Sequence, residues 1–353
     1  MSFYVSEDKK TRQNRSLHSG MLDDIIYQLV NDDDLQGFYR DNPDAKVQLC
    51  TLAENRLKAA YGAGDFSAQR EIQQALFNLY QTHLAEPLSS ASVNQHDPVL
   101  IFIRNKLEAG WLAYERERYG TINDSLKEDN IVQQLRELWS SHIASHHPLF
   151  DFLATEASEQ QIYYFFKSDS ALNLLFFDLV SMTLVGSLPE TRGEISHNLW
   201  DEIGEGSNEF THVNLYKDLL SRRGIKLPED HYAHLYDWQG LAGYNAFMLG
   251  GVTRQHYYKF IGVMAMTELL DPSQYEKLVT GCRRIGLTDR DVHYYSEHIT
   301  VDIGHADGWL NNVIVPIARK FPKSMEEVFF GAVLRLQTCN DYYDSLFEKM
   351  KNI

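Results

Sequence analysis

Apolar residues recur along this chain with the period of an α-helix. Leu22, Ile25, Ile26, Leu29 and Val30 share one face, and so do Ile72, Leu76, Leu79 and Tyr80. No stretch alternates apolar and polar residues between turn residues, as a half-buried strand would. The prolines, among them Pro87, Pro98, Pro148, Pro189, Pro228, Pro272 and Pro322, punctuate the periodic segments. Proline removes a hydrogen bond from a helix interior, so helices are expected to end there. The pattern predicts an all-α protein of about a dozen helices. The stretch from Ala85 to Pro98 is rich in Ser, Pro and Asn and reads as a linker. A second polar stretch, Gly120 to Asn130, precedes a strongly periodic segment. The chain is therefore expected to divide near residue 130. Residues 1–130 would form an accessory helical domain, whose amphipathic helices suit a dimerisation layer and a homodimer. Residues 131–353 are enough for a complete bundle.

Composition narrows the class. With 44% hydrophobic and 23% charged residues, the chain can bury a core. Its apolar runs are too short to cross a bilayer, and residues 1–20 lack the apolar centre of a leader peptide. A formal charge of −16 repels phosphate and argues against a nucleic-acid partner. Cys50, Cys282 and Cys339 lie far apart, with no Cys-x-x-Cys pair. A zinc ribbon or disulfide framework is not expected, and a reducing cytoplasm is.

The chemistry-bearing residues concentrate in the C-terminal part. His298, Asp302 and His305 stand at i, i+4 and i+7, at about 0°, 40° and −20° around a helix, so they share one narrow stripe. Imidazole and carboxylate on one face suit iron, manganese or zinc. The plain alternative is a solvated face, but Ile299, Val301, Ile303 and Trp309 suggest a helix buried on several sides. Glu202 and His212 are ten residues apart, about 15 Å along a straight helix and too far to share one ion. Gly204 and Gly206 lie between them, so a π-bulge or local unwinding is expected to bring the two side chains together. Glu209 competes with Glu202, because Glu209 and His212 form the Glu-x-x-His spacing of carboxylate-bridged bundles. Glu268 follows the apolar run from Phe260, and Asp169 precedes another from Ala171. Each alone reads as a cap or an ion-pair partner. Four helices that each offer inward carboxylate or imidazole groups read instead as a dinuclear site. Arg254, beside Gly250 and Gly251, suits either a substrate carboxylate or the surface. Tyrosines such as Tyr244, Tyr294 and Tyr295 read mainly as packing.

At these residues the chain resembles the haem-oxygenase-like diiron oxidases and oxygenases, known as iron-containing redox enzymes. The resemblance runs over roughly residues 135–350. It is carried by the segment from His147 to Leu153, by Asn198 to Glu202 with the glycines and His212 behind it, by Glu268, and by the His298, Asp302, His305 element. It implies a haem-oxygenase-like helical bundle that binds two irons, Fe(II) or Fe(III), in place of haem, with O2 as cosubstrate. Carried over residue by residue, Glu202, His212, Glu268, His298, Asp302 and His305 are the implied metal ligands. The family's first core helix usually adds a carboxylate, typically Glu. The matching position here is Asp169, one methylene shorter. The implied activity is oxidation of a small molecule with an external electron donor, and N-oxygenation of an amine in a biosynthetic pathway is the expectation. The competing enzyme reading is oxidative C–C cleavage or desaturation of an amino or fatty acid. A metal-free helical scaffold or binding protein is the alternative of another class. Haem held by His142, His146 or His147 would leave the carboxylates without a task.

Overall fold

The computed structural model describes residues 20–122 and 126–353, and no strand occurs among them. The all-α expectation holds. The helices are α1 (Leu22–Val30), α2 (Leu35–Asp41), α3 (Ala45–Leu57), α4 (Phe66–Gln81), α5 (Ser90–Asn94) and α6 (Pro98–Tyr119) in one compact unit, Met1–Gly120. A second unit, Thr121–Ile353, holds α7 (Ile131–Ser141), α8 (Pro148–Thr155), α9 (Glu159–Asn173), α10 (Phe176–Leu184), α11 (Arg192–Glu202) and α12 (His212–Arg222). It continues with α13 (Trp238–Val252), α14 (Tyr257–Arg284), α15 (His293–Gly308), α16 (Val315–Lys320) and α17 (Ser324–Lys351). The units divide after Gly120, which closes α6 at a φ of 89°.

In the N-terminal unit α4 packs against α1, α3 and α6. Asp65 caps α4, and Asp97 caps α6 with Pro98 in its first turn, where a missing N–H costs nothing. The expected linker is not unstructured. It contains α5, and Asn94 at its end donates to the carbonyls of Leu29, Val30 and Asp32. The carbonyls of Leu29 and Val30 lie in the last turn of α1 and that of Asp32 just beyond it, where the helix ladder no longer supplies donors. The sequence neighbourhood of Asn94 could not show a task some 60 residues away.

In the C-terminal unit α14 is the axis, packed along α17, α15, α8 and α13. Every residue from Phe260 to Leu270 is buried. Two glycines set the α14–α17 distance. A Cβ on Gly262 would stand 1.9 Å from the Val328 carbonyl oxygen, and one on Gly331 would stand 1.9 Å from that of Lys259. Pro272 was expected to end a helix but lies inside α14. It cannot donate to the Glu268 carbonyl four residues back, and burial of the preceding turns keeps the helix intact. The break lies instead at Leu174–Leu175, which separates α9 from α10, so Asp169 and Asp178 are not on one continuous rod. After Gly308, α15 runs through a π-turn, Trp309–Ile314, into α16.

Candidate metal centre

The ten residues between Glu202 and His212 do not stay helical. Glu202 is the last residue of α11 and His212 the first of α12. Two 3-10 turns join them through three consecutive left-handed residues, Gly204 (φ 61°), Glu205 (φ 52°) and Gly206 (φ 87°). A Cβ on Gly204 would meet the Phe210 backbone at 2.4 Å, so the turn needs glycine for space as well as for its φ. Of the expected π-bulge or local unwinding, the chain shows unwinding, carried to a full break between α11 and α12. Thr211 caps the new helix, its Oγ1 accepting from the Asn214 N–H at 3.3 Å. Glu202 and His212 end up buried together, with His212 Nδ1 3.0 Å from Glu202 Oε2. Glu209 is exposed.

The stripe on α15 forms as the spacing requires, with His298, Asp302 and His305 all buried. It splits between two clusters. Glu202, His212 and His298 bring ligand atoms within 4.8 Å of one another, and so do Glu268, Asp302 and His305. His305 Nδ1 lies 3.5 Å from both Glu268 Oε2 and Asp302 Oδ1. Six of the seven residues singled out in the sequence are therefore in two adjoining trios. The seventh, Asp169, is not. Its Oδ2 accepts from Asn173 at 2.7 Å and from the Tyr295 hydroxyl at 3.1 Å. The three histidines weighed for haem serve the backbone. His142 Nδ1 accepts from the Ala144 N–H and His147 Nδ1 from that of Leu149, while His146 Nε2 meets the Ser140 carbonyl.

Neighbouring residues fix the trios. Asp201 holds His305 Nε2 at 2.8 Å, which turns Nδ1 toward Glu268 and Asp302. His298 donates its Nδ1–H to the Tyr294 carbonyl at 2.7 Å, which leaves the Nε2 lone pair free. Asn198 donates to Glu268 Oε1 at 2.9 Å from one turn before Glu202 on α11. Carboxylates and histidine tethers of this kind orient metal ligands and set their tautomers. Sequence reading missed Asn198 and Asp201, although Asn198 stands four residues before Glu202 and Asp201 beside it.

The electrostatics call for a cation. Burial pushes the Asp302 carboxyl well above the usual range, and Glu268 beside it adds to the push. Burial works against a charge on His305, but Asp302, Glu268 and Asp201 outweigh it and lift its pKa to about 11. Burial, followed by His212, holds His298 well below its ordinary value and keeps it neutral. His212 Nδ1 faces Glu202 Oε2 at 3.0 Å without good hydrogen-bond geometry. Two buried ligand atoms facing each other need something between them, and a metal ion would satisfy both. Three carboxylates and three imidazoles suit iron or manganese better than soft-ligand metals. The residues present fit the implied irons.

An internal cavity touches both trios. His298, Glu268 and Asp302 form one wall, and Phe150, Phe165 and Phe176 supply apolar surface. Arg335, Asp271 and Asp169 also line it. On the other side of His305, an open cleft is lined by His197, Asp201, Gly304 and Asn312. Arg254 faces neither. It is exposed and donates to the carbonyls of Val185 and Gly186.

Comparison with known proteins agrees with this architecture. A family model described as an iron-containing redox enzyme matches residues 163–339, from α9 to α17, a span that contains both trios. The 4-chloro-allylglycine synthase of Streptantibioticus cattleyicolor is 26% identical over 258 residues, covering 66% of this chain and 88% of that protein. The chain belongs to the iron-containing redox enzyme family, with an oxidoreductase chemistry that depends on iron.

Proposed function

We propose that this protein is an O2-dependent dinuclear iron oxidoreductase that oxidises a small amine-bearing molecule. The observation that carries the reading is the pair of carboxylate–imidazole trios opening onto one cavity. In this reading Glu202, His212 and His298 hold one iron, and Glu268, Asp302 and His305 the other. Asp169, engaged by Asn173 and Tyr295, stands outside the ligand set. Bound iron would supply the electrons that activate O2. The chain's own residues do the rest. Asp201 and the Tyr294 carbonyl hold the two imidazoles in fixed tautomers, Asn198 orients Glu268, and the phenylalanines limit water around the reacting atoms.

Two reactions fit the site. N-oxygenation of the amine follows from the sequence resemblance. Oxidative C–C cleavage or desaturation gains support from the relative, whose printed name denotes an alkene-bearing amino acid. Products separate them. Full-length protein loaded with Fe(II) under nitrogen and exposed to O2 with a panel of amines and amino acids should yield a hydroxylamino or nitro compound in the first case. The second gives an alkene or aldehyde, read by mass spectrometry. Failure to take up iron would remove the reading altogether.

A further inference from the structure

The cavity holds two ionisable groups that the metal centre does not use. Arg335 lies on α17 inside the apolar run from Val328 to Cys339 and is buried, 7% exposed. It donates one hydrogen bond, from Nε to Thr267 Oγ1 at 2.9 Å, and its guanidinium covers the Phe247 ring at 4.7 Å. No carboxylate pairs with it among the described residues, so its two terminal nitrogens, which make the fork that binds carboxylates, remain for the cavity. Asp271 lies on α14 four residues after Thr267, hence one turn away on the same face. No hydrogen bond or ion pair reaches its carboxylate among the described residues. A buried guanidinium and a half-buried carboxylate left apart are costly unless something enters to meet both.

We infer that Arg335 and Asp271 are the two poles of a subsite for a free α-amino acid, Arg335 gripping the carboxylate and Asp271 accepting from the ammonium group. Carboxylate and ammonium of an amino acid sit on one carbon, and Arg335, reaching from α17, is tethered to Thr267, one helical turn before Asp271 on α14. Glu268 lies between Thr267 and Asp271 in sequence and belongs to the second trio. A ligand fixed by its head group would therefore send its side chain along the same cavity toward the trios, past Phe150, Phe165 and Phe176. Asp169 is a poorer ammonium acceptor, since its Oδ2 is already engaged twice. The inference rests on the proposed activity only for what happens to the ligand afterwards; binding can be measured without turnover.

The test is calorimetric titration of the full-length chain under nitrogen, both metal-free and Fe(II)-loaded, with the common L-amino acids. The tightest is then compared with its decarboxylated amine and its deaminated acid. The amino acid should bind at least about tenfold more tightly than either analogue. Arg335→Gln should bring the amino acid down to the level of its amine, and Asp271→Asn to the level of its acid. A merely structural arginine would not produce that crossed pattern. Arg335→Lys covers the case in which the neutral variant does not fold, and should reduce the carboxylate preference without abolishing it. The assignment is overturned if no amino acid binds, if the analogues bind as tightly, or if the Arg335 variants weaken all three compounds alike. Iron uptake is titrated separately. Its failure with the crossed pattern intact sinks the metal reading alone, and the reverse result sinks this one alone.

Discussion

In the N-terminal unit Glu71, Glu108 and Glu115 are buried, and each meets donors that close its charge. Glu71 accepts from the Leu22 N–H at 2.9 Å and lies 3.0 Å from Arg56. Glu108 accepts from the Tyr80 hydroxyl beside Arg104. Glu115 accepts from Trp111 Nε1 at 3.1 Å and pairs with Arg118. In the C-terminal unit Glu202, Glu268 and Asp302 are equally buried, yet no lysine or arginine reaches them among the described residues. Their neighbours are imidazoles, one another and, at Glu268, the uncharged amide of Asn198. Burial of a carboxylate is therefore no sign of a metal site. What distinguishes the centre is that its buried charge lacks a fixed cation, while imidazole lone pairs converge on the same space.

Removing a trio residue should have the largest effect. Wild-type protein is expected to bind two Fe(II) per chain in anaerobic titration, and His212→Ala or Asp302→Ala to bind no more than one. Product formation should fall by more than about 100-fold, beyond what loss of a residue that only orients a ligand would cause. Iron stoichiometry of two in either variant would assign the ligands elsewhere. The corresponding change in the N-terminal unit is Glu115→Ala, which removes the carboxylate that accepts from the buried Trp111 N–H and pairs with Arg118. It should destabilise the chain by about 3 kcal/mol in urea unfolding while leaving iron uptake at the wild-type level. A fall in iron uptake with stability unchanged would erase the contrast between the units.

How much of this was legible in the sequence depends on how local each feature is. The stripe of His298, Asp302 and His305 could be read directly, because the period of a helix fixes which side chains align. The pairing of Glu202 with His212 was legible as a distance too long for one helix, with glycines to interrupt it. The form of the interruption was not, since it depends on Gly204 packing against the Phe210 backbone. Pro272 misled for the same reason in reverse, because burial against neighbouring helices overrides a local stop signal. Asp169 came from resemblance, and the structure gives it to Asn173 and Tyr295. Sequence reading did not single out Arg335 or Asp271. Only tertiary structure shows that both line one cavity and that Thr267 positions the first.

A smaller effect is expected from the tether behind His305. Asp201 is partly exposed and touches only the outer edge of that ring. Asp201→Asn can still accept a hydrogen bond at Nε2 but loses the charge that stabilises the imidazole's tautomer and raises its basicity. Iron affinity or turnover should fall by about 10- to 100-fold, with two irons still bound at saturation. If the variant behaves as wild type in both measurements, Asp201 belongs with the surface cleft and not with the centre.

The smallest effect tests whether location or partner makes the difference, because Asp291 is a buried carboxylate of the C-terminal unit with the N-terminal kind of environment. Its Oδ1 accepts from Arg222 at 2.8 Å and Arg223 at 3.0 Å, and its Oδ2 from the Thr288 N–H and hydroxyl. It thereby ties the end of α12 to the loop before α15, the helices of His212 and His298. Burial opposes the charge, but the Thr288 bonds and the two arginines overcome it and hold the pKa down to about 2. A carboxyl lowered in the folded state contributes stability above its unfolded pKa of about 4 and loses it as pH falls toward 2. The arginine side chains are 30% and 23% exposed, so solvent screens the pairs and Asp291→Asn should cost about 1 kcal/mol at pH 7. The gap between wild type and variant in urea midpoint should narrow as pH drops from 5 toward 3, with no change in iron stoichiometry at neutral pH. A gap that widens over that interval would mean that Asp291 is not held ionised by its arginines, and the rule that partner outweighs location would fail at its one internal control.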